Sequence, residues 1–162
     1  MLSLGDLKMT HGLNLTLPLK QDAETQQKLQ KLIANFATAV QPAIEAALKK
    51  SQIVHFARVL VIDNKYIQVI TSYEGPHQEY TEFFRKELTP IFGAIFALAE
   101  GAPNVNDTNA FWEYSKNKNV RALGTASDNS LDFGGNPSGW LFSAYDHRTV
   151  KVINAAIKSA GA

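Results

Sequence analysis

The sequence predicts an α+β domain: one antiparallel sheet with helices packed on one of its faces. Three observations predict it. Residues 53–73 hold two arms rich in β-branched and aromatic side chains, broken by the turn-forming Asp63-Asn64-Lys65, which reads as a hairpin. Residues 11–18 alternate Leu13, Leu15 and Leu17 against Asn14 and Thr16, which reads as a strand with one dry face. Between and after these lie two stretches whose apolar residues recur every three or four positions, the spacing of amphipathic helices.

The first strand ends at Pro18, which has no N–H for a ladder. Asp22 is placed to cap the first helix, whose apolar stripe runs Leu29, Leu32, Ile33, Phe36, Val40, Ile44 and Leu48. Pro42 interrupts it and predicts a kink, or two helices with Pro42 in the first turn of the second. Lys49 and Lys50 suit a helix C-terminus.

In the hairpin, a two- or four-residue connection places Phe56, Arg58 and Leu60 beside Ile67, Val69, Thr71 and Tyr73. The other face then carries His55, Ala57 and Val59 beside Tyr66, Gln68, Ile70 and Ser72. The bulkier Phe56 face is expected under the helices. The His55 face is expected to form a cavity wall or to meet a second subunit.

Gly75-Pro76 turns the chain into a second amphipathic helix marked by Tyr80, Phe84, Leu88, Ile91, Ile95 and Leu98. Pro90 splits it, with Thr89 able to cap the restart. Asp107 can cap a short helix with Phe111, Trp112 and Tyr114. Residues 124–139 are mostly turn-forming or small, and a loop this long is either disordered, a passive surface segment or a lid. Residues 140–145 read as a final strand. Asp146 is expected to cap a last helix with the stripe Val150, Ile153 and Ile157. The order is βαββαβ, the ferredoxin-like arrangement, with an insertion at about residues 103–139 and an extra C-terminal helix, all in a single domain spanning residues 1–162.

Composition excludes several classes. A net charge of +1 offers no field to steer nucleic acid. No run approaches the length of a membrane span, and the first eight residues lack a secretory pattern. There is no cysteine, hence no thiolate metal site or cysteine nucleophile. That suits a reducing compartment, and the expected location is cytoplasmic. His11, His55, His77 and His147 show no metal-binding spacing, so no metal site is expected. Phosphate-loop and nucleophile-elbow motifs are missing.

The run Val54-His-Phe-Ala-Arg58, followed by Val61-Ile-Asp63, Ser72-Tyr-Glu-Gly75, Tyr80 and Phe83-Phe84, resembles a recurrent pattern of poorly characterised ferredoxin-like dimeric α+β barrel proteins. Leu17-Pro-Leu-Lys20, Leu141-Phe-Ser-Ala-Tyr145 and Thr149-Val150 are similar to further parts of that pattern. The likeness covers residues 11–100 and 140–158. The group usually has Asp where this chain has Glu74. The resemblance implies a homodimer in which the sheet's open face is covered by a second copy. The wider barrel group includes dye-decolourising peroxidases, heme-degrading enzymes and cofactor-free monooxygenases. The peroxidases' Gly-x-x-Asp-Gly run is not reproduced by residues 124–129.

His55 is the first candidate site residue, as a heme ligand or proton shuttle, or else as a hydrogen-bonded structural histidine. Gln68, Ser72, Asn14, Thr16 and Tyr145 are placed to line a small cavity with it. Arg58 lies on the opposite face of a flat strand, so only a bulge can bring it beside His55. Among apolar neighbours its charge needs a partner, with Glu74 a candidate, or an anion. Three functions follow from these residues: binding of a small, mostly apolar ligand; a heme peroxidase or ring-oxidising enzyme; or an interaction module without a pocket.

Overall fold

The computed structural model describes residues 10–161; the expectation about the first eight residues lies outside them. Three antiparallel strands form one sheet in the order β1-β3-β2: β1 (Thr10–Pro18), β2 (Val54–Ile62) and β3 (Tyr66–Glu74). The fold is α+β.

Six α-helices accompany the sheet among the described residues. Helix α1 (Ala23–Asn35) is capped by Asp22, which accepts from the Thr25 amide and from its hydroxyl at 2.6 Å. Pro42 acts as its chemistry dictates. The chain loosens into a π-helical stretch, Phe36–Val40, and restarts as α2 (Gln41–Ser51) with Pro42 in the first turn. The second break is similar: α3 (His77–Glu87) stops and α4 (Thr89–Phe96) begins with Pro90 in its first turn. Thr89 does not cap that restart. Its hydroxyl donates back to the Arg85 carbonyl at 2.6 Å. Helix α5 (Thr108–Asn117) is capped by Asp107.

One face of the sheet is dry. Leu13, Leu15 and Leu17 of β1 and Ile67, Val69 and Tyr73 of β3 are buried against Leu29, Tyr80, Phe84 and Ile95 of the helices and Leu88 between α3 and α4. This corrects the expected hairpin pairing. The connection is three residues long, with Asp63 and Asn64 at positive φ, so even positions face even ones: Ile62 pairs with Tyr66 and Leu60 with Gln68. Ala57, Val59 and Val61 therefore pack toward the helices, and the Phe56 face is the open one. Phe56 is 74% exposed.

The expected fourth strand at residues 140–145 does not form. Local hydrogen bonding wins there. The Ser143 hydroxyl donates to the Asp146 carbonyl at 2.7 Å and accepts from the Tyr145 amide, which bends the chain away from a ladder. The edge of β1 is met instead by residues 118–120. The Thr16 amide donates to Lys118 O at 2.8 Å, and the Val120 amide to Asn14 O at 2.9 Å. Helix α6 (Val150–Ser159) is capped by Thr149, not Asp146, whose backbone is left-handed. None of its residues is fully buried: of the expected stripe, Val150 and Ile153 are half-buried and Ile157 is exposed.

No helix among the described residues is long and apolar enough to cross a membrane.

Candidate functional site

Residues 119–141 fold back over the open face of the sheet. Arg121 holds this segment together. Its guanidinium donates to the carbonyls of Pro137 at 2.6 Å, Gly124 at 2.9 Å and Ala122 at 3.1 Å. Backbone pairs tie its two halves: Ala126 to Ser138, Ser138 to Ser130, Asp132 to Asn136, Trp140 to Leu123. A Cβ on Gly139 would run into the Ala122 carbonyl, and one on Gly124 would meet the Trp140 Cβ at 2.9 Å. The glycines thus let the two halves close on each other. Phe133, 2% exposed, is inserted against Trp112 and His77 with ring centroids 5.1 and 6.0 Å away. The segment is a wall with its own internal bonding.

Between this wall and the sheet lies a cleft of about 470 Å³. Its floor is Asn14 and Gly12 of β1, Ser72 and Ile70 of β3, and Phe56 and Arg58 of β2. Its roof comes from Val120, Ala126, Ser138, Trp140 and Leu141, and its lining also includes His11, Ser130 and Asp132. Gly12 leaves the space open: a Cβ there would meet only Leu141 at 3.9 Å. A smaller neighbouring hollow shares Thr10, Phe56, Ser72 and Leu141 with it and is bounded by His55, Tyr145 and His147.

The structure sorts the candidate residues. Asn14 and Ser72 line the large cleft. Gln68 and Thr16 lie on the same face but bond to each other at 3.0 Å. His55 and Tyr145 border the smaller hollow. A bulge does occur in β2, between Val54 and Phe56, and His55 is its extra residue. It turns the imidazole onto Glu74: His55 Nε2 donates to Oε2 at 2.6 Å, while Oε1 accepts from the Val150 amide at 2.8 Å. A carboxylate at a helix N-terminus suits the helix dipole. The Glu74 pair is thus with His55, not Arg58. Arg58 is exposed and forms no ion pair with a described residue, because its side of β2 faces solvent and the cleft.

A second constellation joins residues that sequence spacing did not group. His11 and Tyr73 are register partners on β1 and β3, and His77 opens α3 four residues later; the two imidazole centroids are 4.6 Å apart. His77 Nε2–H donates to Leu131 O at 2.8 Å, since a carbonyl only accepts. Its Nδ1 then accepts from the Tyr73 hydroxyl. Burial, reinforced by Tyr80 and Asp132, pushes the Tyr73 phenol well above its ordinary range. Tyr80 stacks on Tyr73 at 3.8 Å and is raised too, by burial. This relay fastens β3, α3 and the wall together. The parity of Leu13, Leu15 and Leu17 was the signal for His11, which shares their side of β1. Nothing in the sequence marked Asp132.

A heme does not fit the place assigned to it. His55 Nε2 is engaged by Glu74, in a dyad whose carboxylate is itself tied to α6. No group of three His, Asp or Glu is arranged for a metal ion among the described residues.

Comparison with protein-family models, curated proteins and solved structures finds no match.

Proposed function

We propose that this protein binds a small, mostly apolar molecule in the cleft between the sheet and residues 119–141. One observation carries this: a preformed concavity of about 470 Å³ lined by apolar Phe56, Ile70, Val120, Trp140 and Leu141 together with polar groups that include Asn14, Ser72 and Arg58. That is the size and character of small-ligand sites. The reading moves the ligand from His55, a structural dyad, to its neighbour Ser72. It also keeps the second copy that the resemblance implies. Beyond the cleft, Leu60, Ile62 and Tyr66 leave an apolar strip on the open face at 36%, 39% and 43% exposure. A second sheet face covers such a strip well.

The test uses a fragment library and backbone NMR. Shifts confined to Asn14, Ser72, Ala126 and Trp140 are expected, and they vanish in Gly12→Val, which fills the space from an otherwise tolerant strand position. Fragments that shift no cleft residue refute the proposal. Light scattering tests the second copy: the wild type is expected at twice the chain mass and Ile62→Glu at the chain mass. A wild-type monomer at every concentration refutes the dimer.

A further inference from the structure

Resting on that reading, we infer that the ligand is an apolar molecule with a carboxylate, which it places on Arg58 and the neighbouring Ser72 hydroxyl of the cleft floor. The register sets these two side by side. On the open face Arg58 pairs with Ile70 and Ile70 with Asn14, while Phe56 pairs with Ser72 and Ser72 with Gly12. These two adjacent rows cross all three strands, and each of their residues lines the cleft. Arg58 and Ser72 are diagonal neighbours, a separation that a long side chain spans. Arg58 is exposed and Ser72 half-buried, and neither side chain has an ion pair or hydrogen bond with a described residue.

Three ionisable residues line the cleft among the described residues, and two of them are spent within the protein. Asp132 is 7% exposed; its Oδ1 accepts from the Asn136 amide at 2.9 Å and its Oδ2 is buried, so the carboxylate is withdrawn from a ligand's reach. Its charge acts on the core, where it adds to the burial that raises the Tyr73 phenol. His11 is equally buried, is already engaged, and has its ring 4.6 Å from that of His77. Protonated, it would add to the sign of Arg58 and offset Asp132; neutral, it adds nothing. Asp128 of the wall is exposed, does not line the cleft, and accepts from the Ser130 amide at 3.0 Å. In the adjoining hollow Glu74 is taken by His55 and the Val150 amide, His147 accepts the Thr10 amide, and exposed Asp146 stands two residues from exposed Arg148. The charge that a ligand in the cleft can reach is therefore positive.

Binding changes what that charge is worth. In the free protein Arg58 is open to water and salt, which screen it. A ligand with its apolar body over Phe56, Ile70 and Leu141 displaces that water and strengthens whatever pairing it makes. The planar guanidinium matches the two oxygens of a carboxylate, and the Ser72 hydroxyl donates to either of them. A neutral or cationic ligand of the same shape would cover the guanidinium and leave it unpaired, which costs free energy.

The test compares 3-phenylpropanoate with 3-phenylpropanol and 3-phenylpropylamine at neutral pH, followed by NMR at the cleft residues. The carboxylate is expected to bind about threefold to tenfold tighter than the alcohol at low salt, the range of a partly exposed charge pair, and the amine weakest of the three. Arg58→Gln is expected to bring the carboxylate to the alcohol's level while the alcohol keeps its affinity. Should that variant fail to fold, the Arg58 Nε–H resonance decides in the wild type: it is expected to shift with the carboxylate and to stay in place with the alcohol. Equal binding of carboxylate and alcohol, a preference for the amine, a carboxylate advantage surviving in Arg58→Gln, or an Arg58 resonance blind to the carboxylate overturns the inference and leaves the small-ligand reading standing. If none of the three compounds shifts a cleft residue while other apolar fragments do, the carboxylate inference alone falls. If nothing binds there, both fall.

Discussion

Tyr73 has no exposed surface, and its hydroxyl is hydrogen-bonded to His77. Removing that hydroxyl in Tyr73→Phe deletes the hydrogen bond it shares with His77, an expected cost of about 0.5–1.5 kcal/mol in a denaturant melt. The alkaline limb of stability follows from the same burial. Tyr73 and Tyr80 have pKa values raised above the ordinary 10.0. A raised folded value means stability that is complete below about pH 10 and declines as pH rises beyond it. Their phenolate absorbance is therefore expected to appear together with loss of secondary structure, not before it. At the acid end the sign reverses. Thr25 lowers the Asp22 carboxyl below 3.8, and Arg85 lowers Glu82 below 4.5, both by hydrogen bonds. Their contributions are present above those values and vanish as pH falls through the lowered ones. The melting-temperature deficit of Asp22→Ala is expected to be larger at pH 7 than at pH 3. At this scale caps were legible in the sequence where an Asp preceded an apolar stripe, as at Asp22 and Asp107. Asp146 misled because the helix begins three residues later, at a Thr with the same capping chemistry.

The elements divide by how local their cause is. Pro42 and Pro90 broke helices where the ring and missing N–H required it. The hairpin was legible, but its register was not, because one residue more in the turn exchanges the two faces. That exchange moved Phe56 from core to cleft floor and hid the site. The wall was the least legible element. Its residues look like turn formers, and its order comes from partners that spacing does not reveal: Arg121 on four carbonyls of the wall, Phe133 on Trp112, Leu131 on His77. Two substitutions weigh these. Phe133→Ala is expected to cost about 3–5 kcal/mol as a buried aromatic truncation. Gly139→Ala, with no room beside the Ala122 carbonyl, is expected to open the wall and raise proteolytic cutting within residues 121–138. An unchanged cutting rate would show that the close approach at Gly139 does not hold the wall.

For the whole molecule, the sheet and the wall are one device. Helices cover one face, and the insertion covers part of the other, so a chain of 162 residues encloses a cleft within itself. The βαββα part of the predicted order stands, while the last strand is replaced at the edge of β1 by residues 118–120. The site could not be read from spacing because its polar groups come from distant segments: Asn14, Arg58, Ser72 and Asp132 meet only through the fold. Amide hydrogen exchange of residues 120–140 in the free protein tests this most directly. The amides of Val120, Ala126, Asp132, Ser138 and Trp140 are bonded across the wall or to β1, and their exchange is expected to be far slower than in an unstructured peptide. Exchange at the unstructured rate for all five would mean that no wall stands over the sheet and no cleft exists to hold a ligand.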